Sequence, residues 1–203
     1  MKNFLIAISV LIGLGGCVSK PVTQPSSAEL SLDLPQYSAK NSDPLPIVLG
    51  VRAPYGIVIE SDKISYIDTN NVRRSYAYHR WEGSIARQLH ERLVLAIAQR
   101  EILKDVAKQG QTIKPDWILE TEVLEFAQKM QDENSANIQF VGRMRLVDAN
   151  SKEAIDDYLV KYEIPMESLG TLQATQAFNR AVSMWLDETL QWIEKRGEIK
   201  NAR

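Results

Sequence analysis

The sequence predicts an α+β domain, a two-layer sandwich in which a mostly antiparallel or mixed sheet carries two long amphipathic helices on one face. Three observations predict it. Several short stretches alternate apolar with polar residues, as half-buried strands do. Two longer stretches repeat apolar residues every three to five positions, as helices with one buried side do. Their order is strands, a helix, a three-strand meander and a last helix, and two one-sided helices need a common apolar sheet face to cover.

The first residues read as an address. Lys2 supplies a positive charge, and residues 4–14, FLIAISVLIGL, contain no charged group. As a helix that stretch spans roughly 16 Å, about half of a bilayer core. It is too short to cross a membrane and suits the apolar region of a secretory signal peptide. It ends in Leu14-Gly15-Gly16-Cys17, small residues before the single cysteine. This ending resembles the bacterial lipobox. The resemblance implies that residues 1–16 are a lipoprotein signal peptide cut between Gly16 and Cys17, and that Cys17 carries a diacylglycerol and an N-acyl chain. Three acyl chains anchor a protein nearly permanently. Val18 and Ser19 follow, with no aspartate of the kind that resembles an inner-membrane retention signal, so the expected address is the outer membrane.

Residues 17–46 read as a lipid-anchored spacer. Pro21, Pro25, Pro35, Pro44 and Pro46, five of the eight prolines, fall there among scattered serines and resist helix. Leu30, Leu32 and Leu34 alternate with Ser31 and Asp33, which predicts a short strand over 30–34, placed at a sheet edge by Pro35.

A single domain is expected over residues 47–197. Ile47, Leu49 and Val51 alternate as a strand that Pro54 ends. Residues 57–59 and 64–67 read as two more extended pieces, Asp68-Thr69-Asn70-Asn71 as a turn, and residues 72–78 as a returning strand. A helix begins near Gly83-Ser84. Ile85, Leu89, Leu93, Ala96, Ile97 and Ile102 form its stripe, with Arg87, Glu91, Arg92 and Arg100 elsewhere on the wheel. Gly110 and Pro115 punctuate the exit. In residues 117–126, Trp117, Leu119, Thr121 and Val123 share a face, while Leu124 and Phe126 fall out of phase, which predicts a bulge or a change of cover. Residues 134–137 read as a loop. Ile138, Phe140, Met144 and Leu146 alternate, Asp148-Ala149-Asn150-Ser151 turns, and Tyr158, Val160, Tyr162 and Ile164 return until Pro165. The last helix is expected over 171–196, with Leu172, Phe178, Val182, Trp185, Leu186, Thr189 and Ile193 as its stripe and Gly197 just past its end. The second sheet face is left with Glu120, Glu122, Arg143, Arg145, Lys161 and Glu163, signs that pair across strands.

Composition excludes several kinds of function. The chain of 203 residues has a formal net charge of −2, which gives no pull toward nucleic acid. One cysteine makes no internal disulfide, and no Cys/His cluster has metal-ligand spacing. His79 and His90 lie eleven apart without an H-E-x-x-H frame, and no nucleophile elbow or phosphate loop is present. The expectation is a chain that is not an enzyme, with no catalytic residue, no metal, and no cofactor beyond the covalent acyl groups on Cys17. Arg73, Arg74 and Arg80 form a small basic cluster that reads either as plain surface or as a contact for lipid phosphates. Tyr55, Tyr76, Tyr78 and Trp81 read either as packing at the sheet–helix junction or as a partner interface, since Tyr and Trp are enriched where proteins meet.

Residues 49–55, LGVRAPY, the hairpin over 57–67 and Arg80-Trp81-Glu82 leading into the first helix resemble the ABC-type transport auxiliary lipoproteins, the group that includes paraquat-inducible protein C. Residues 119–126, LETEVLEF, are similar to a later strand of that family. The resemblance covers nearly all of residues 30–193. It implies an outer-membrane lipoprotein on the periplasmic side, working with transport proteins of the mammalian-cell-entry type that carry lipid between two membranes. Such a chain docks the far end of the conduit, as a homo-oligomer and conceivably a ring. Two alternatives stand beside it: a lipid carrier that shields an acyl chain between helices and sheet, and an assembly plug for an outer-membrane barrel.

Overall fold

The computed structural model describes residues 28–108 and 110–201; the signal peptide, Cys17 and the first part of the spacer lie outside the described residues. Eight strands and two helices follow one another: β1 (Ala28–Leu30), β2 (Leu45–Val51), β3 (Lys63–Ile67), β4 (Arg73–Trp81), α1 (Ile85–Arg100), β5 (Leu103–Lys108), β6 (Trp117–Met130), β7 (Ala136–Asp148), β8 (Ala154–Pro165) and α2 (Thr171–Asn201). The class is α+β, with an open mixed sheet and two helices.

One long strand organises the sheet. Along one side β6 pairs antiparallel with β7, which pairs antiparallel with β8. Along its other side the start of β6 runs parallel to β2, Leu49 opposite Trp117, and its end runs parallel to β3, Tyr66 opposite Gln128. The strand is long enough to serve two neighbours in succession. The sheet then extends through β2 to β5 and through β3 and β4 to β1. The expected phase break is real: the register slips between Val123 and Glu125, so Leu124 turns outward while Phe126 returns to the buried side.

The helices form where the spacing allowed. Ser84, extended at φ −69° and ψ 143°, caps α1 by accepting from the Arg87 amide. Glu101 closes it in a left-handed conformation, so Ile102 reaches the core from the connection and not from the helix. Ile85, Leu89, Leu93, Ala96 and Ile97 of α1, and Phe178, Val182, Trp185, Leu186, Thr189 and Ile193 of α2, are buried as the stripes predict. Leu172 is not; it is exposed at the first turn. One hydrophobic cluster joins both helices to β2, β6, β7 and β8. A column of rings fills its middle: Phe126 lies 4.6 Å from Phe178, Trp81 lies 5.2 Å from Phe178, and Phe140 lies 5.6 Å from Trp185.

Several expectations need correction. Ile57–Ile59 is a single 3-10 turn, because Gly56 redirects the backbone and Ile59 drops into the core. The first strand covers Ala28–Leu30 rather than 30–34, pairing parallel to β4, and Leu34 is exposed. Leu103–Lys108 is a parallel strand beside β2, where the sequence reading had only an exit. β7 begins at Ala136, inside the expected loop. Helix α2 continues through Gly197, which is buried and packs so close to β2 that a Cβ there would come within 2.3 Å of Leu45 Cδ1; the glycine is a contact with β2, not a cap. Residues 28–46, assigned to the spacer, lie against the domain.

Candidate functional site

The described part of the presumed spacer is a strap tied to both helices. Leu32 is 2% exposed, its N–H donating to Gln88 Oε1 at 2.8 Å and its carbonyl accepting from Arg92 Nη2 at 2.5 Å. Arg92 also donates to Ser31 Oγ at 3.1 Å. The Asp33 amide donates to Asn179 Oδ1 at 3.0 Å, the Tyr37 amide to Gln99 at 3.1 Å, and the Tyr37 hydroxyl to Asp187 at 2.8 Å. Lys40 forms an ion pair with Glu194. The strap thus bonds α1 through Gln88, Arg92 and Gln99, and α2 through Asn179, Asp187 and Glu194. This explains two buried polar residues of α1, one of which, Arg92, the helical wheel placed outside the core. Gln88 and Arg92 are buried because the strap covers them, and burial pulls the Arg92 guanidinium below its usual basicity.

The aromatic set divides. Trp81 is 1% exposed and belongs to the ring column, so it is core and not interface. Tyr76 is half-buried against Tyr66, with rings 5.7 Å apart, and its hydroxyl donates to Gln128; burial raises its pKa. Tyr55 and Tyr78 are each more than half exposed. Sequence reasoning missed two neighbours of Tyr55. Ile57 is 90% exposed, and Leu124, the bulge residue, stands out from β6. Tyr55, two residues before Ile57, meets Val123, the residue before Leu124, at one backbone join, where the Tyr55 amide donates to Thr121 O at 3.0 Å and the Val123 amide donates to Tyr55 O at 2.8 Å. Gly56 makes the join possible. At φ 145° it occupies a region closed to other residues, and a Cβ would lie 2.1 Å from Val123 O. Gly56 next to a phase break in β6 was the signal available in the sequence.

The three arginines do not gather into one cationic patch. Arg73 pairs with Glu125 at 2.6 Å, Arg74 with Asp68 at 3.0 Å, and Arg80 with Asp62 at 3.5 Å. The Val72 amide and then Arg74 hold the Asp68 carboxyl below the usual carboxylate range. The second sheet face carries the expected charges, but they take other partners than one another across strands. Arg145 and Arg143 both reach Asp157 Oδ1, at 2.9 and 3.3 Å, Lys161 reaches Glu163 at 2.9 Å, and Arg52 pairs with Glu120. Arg145 lowers the Asp157 pKa by its hydrogen bond. His90 bonds Val51 O at 3.2 Å and His79 stacks edge-on to Tyr76. Among the described residues no three metal-ligating groups converge, and no helix is long and apolar enough to cross a membrane.

Fold and surfaces together define a two-layer α+β domain with a filled interior, whose distinctive groups lie on the strap and on one exposed corner. The chain belongs to the ABC-type transport auxiliary lipoprotein component family, whose sequence pattern matches residues 31–188. Its role is therefore that of an auxiliary lipoprotein of ABC-type transport. No curated protein matches the sequence. Among solved structures, the fold is similar to protein XCC0632 from Xanthomonas campestris (TM-score 0.76, 16% identity, covering 87% of this chain and all of that one). It is similar to an uncharacterized protein (TM-score 0.63, 13% identity, 83% and 99% covered) and to the hypothetical protein CT253 from Chlamydia trachomatis (TM-score 0.52, 9% identity, 75% and 98% covered).

Proposed function

We propose that this chain is a non-catalytic docking subunit, held at the periplasmic side of the outer membrane by acyl chains on Cys17, that receives the end of an intermembrane lipid conduit of the mammalian-cell-entry type. The observation that carries this reading is the corner formed by Tyr55, Ile57 and Leu124. Three apolar side chains are held outward there by a bulge and by a glycine in a backbone conformation that L side chains rarely adopt. Apolar groups presented on a fixed backbone suit partner binding. The filled interior favours docking over the carrier reading, because the aromatic column occupies the space between helices and sheet that an acyl chain would need. Tyr78 and the paired Arg73, Arg74 and Arg80 lie outside that corner as secondary candidates for partner or phosphate contact.

The test is cross-linking from single positions in intact envelopes. A photo-reactive residue at 57 or 124 is expected to capture a mammalian-cell-entry-type protein, and one at the exposed Leu172 is not. Capture of a β-barrel at 57 and 124 instead would replace docking with the plug reading. Cys17→Ala is expected to leave an unanchored or uncleaved chain, and an acylated peptide starting at Cys17 is expected by mass spectrometry of the wild type.

A further inference from the structure

We infer that two copies of this chain pair antiparallel through the outer edge of β8, about a twofold axis at Leu159. The argument starts from an open edge. Strand β8 pairs with β7 alone, so over twelve residues one line of its backbone donors and acceptors has no neighbouring strand among the described residues. Such an edge is a template for another strand.

The side chains of β8 choose the occupant. Asp157, Leu159 and Lys161 stand opposite Arg145, Arg143 and Val141 of β7, so they share the open sheet face. Leu159 is 63% exposed on a face where Arg143, Arg145, Asp157 and Lys161 surround it. An antiparallel pair places residues directly opposite when their numbers have a constant sum. Centring a second β8 on Leu159 sets Leu159 against its own copy and Asp157 against Lys161, twice by symmetry. The segment is complementary to itself in charge and apolarity, as the two sides of a twofold interface must be. Asp157 can take the extra partner. Both of its arginines make their nearest contact at Oδ1, and the incoming Lys161 exchanges its partner within β8, Glu163, for Asp157 Oδ2. On the helix side the same register sets Tyr158, 38% exposed, against the buried Val160. An unrelated edge strand has no reason to meet this palindrome, whereas a second copy meets it by construction.

The test uses the full-length, detergent-extracted chain, and it does not depend on what the Tyr55 corner binds. Leu159→Cys is expected to give a covalent pair with a short thiol cross-linker. Wild type, whose single cysteine is Cys17, is the blank. Lys161→Asp replaces two attractions with two repulsions and is expected to weaken pairing about tenfold by analytical ultracentrifugation. Asp157→Lys is expected to weaken it similarly, and the double reversal to restore it, which loss of folding could not imitate. A chain that stays monomeric at concentrations where Leu159→Cys would be captured overturns the inference. So does an oligomer indifferent to both reversals, or a double reversal no better than the single ones.

Discussion

The two faces of the sheet are built from the same strands and follow different rules. Toward the helices, alternate residues of β6 and β7 meet rings and branched side chains with almost no exposure. Away from them, Arg143 and Arg145 of β7 pair across to Asp157 of β8, Lys161 pairs with Glu163 along β8, and all of them stay in water. Removing a group from the first face leaves a void, while removing one from the second leaves solvent. The difference teaches that packing and solvation have been separated by the strand period of two. One face fixes the fold, and the other is free to vary in sequence.

The sharpest way to break this contrast is from the buried side. Phe178→Ala removes the ring that touches both Trp81 and Phe126 and is expected to cost about 3–5 kcal/mol in chemical denaturation. Gly56→Ala asks whether the exposed corner is as rigid as the core. Its φ of 145° and the collision with Val123 O predict a loss of about 2–3 kcal/mol, and weakened capture at position 57 with Trp fluorescence unchanged. Gln88→Leu removes the acceptor of the Leu32 amide and is expected to cost about 1–3 kcal/mol, with faster hydrogen exchange confined to the strap. Glu163→Gln on the open face is expected to change stability by less than about 0.5 kcal/mol.

Acid sharpens the same point. Asp157 and Glu163 have carboxyl pKa values held down by Arg145 and Lys161. A depressed folded-state pKa contributes stability that is complete above the unfolded value, about 4, and is lost as pH falls through the folded one. Both groups are exposed, so melting temperature is expected to drop only slightly below about pH 4, by less in high salt, and by less again in Arg145→Gln.

Much of this was legible in the sequence because burial imposes periods. The stripes of α1 and α2, the charged sheet face and the bulge at Leu124 all follow from which residues fall in or out of phase. What escaped was set by contacts far away in the chain. Arg92 and Gln88 look like solvent-facing helix residues until the strap is laid over them. Gly197 looks like a helix end until Leu45 is placed beside it. Leu103–Lys108 is short and exposed at an edge, so its apolar alternation is too weak to announce a strand; parallel pairing with β2 decides it. Of the residues at the exposed corner, Tyr55 could be suspected from its type, whereas Ile57 looked like any core isoleucine.

The parallel pairing of β1 with β4 has a mechanical meaning. Ala28, Glu29 and Leu30 lie beside His79, Arg80 and Trp81 and run in the same direction. A force drawing Ala28 toward the amino terminus acts along the strand, so it loads those bonds in shear, all together, before any can peel. The next link is Leu32, seated between Gln88 and Arg92. Tension arriving from that side would meet a brace and not a hinge, and the domain would follow the pull as one rigid piece.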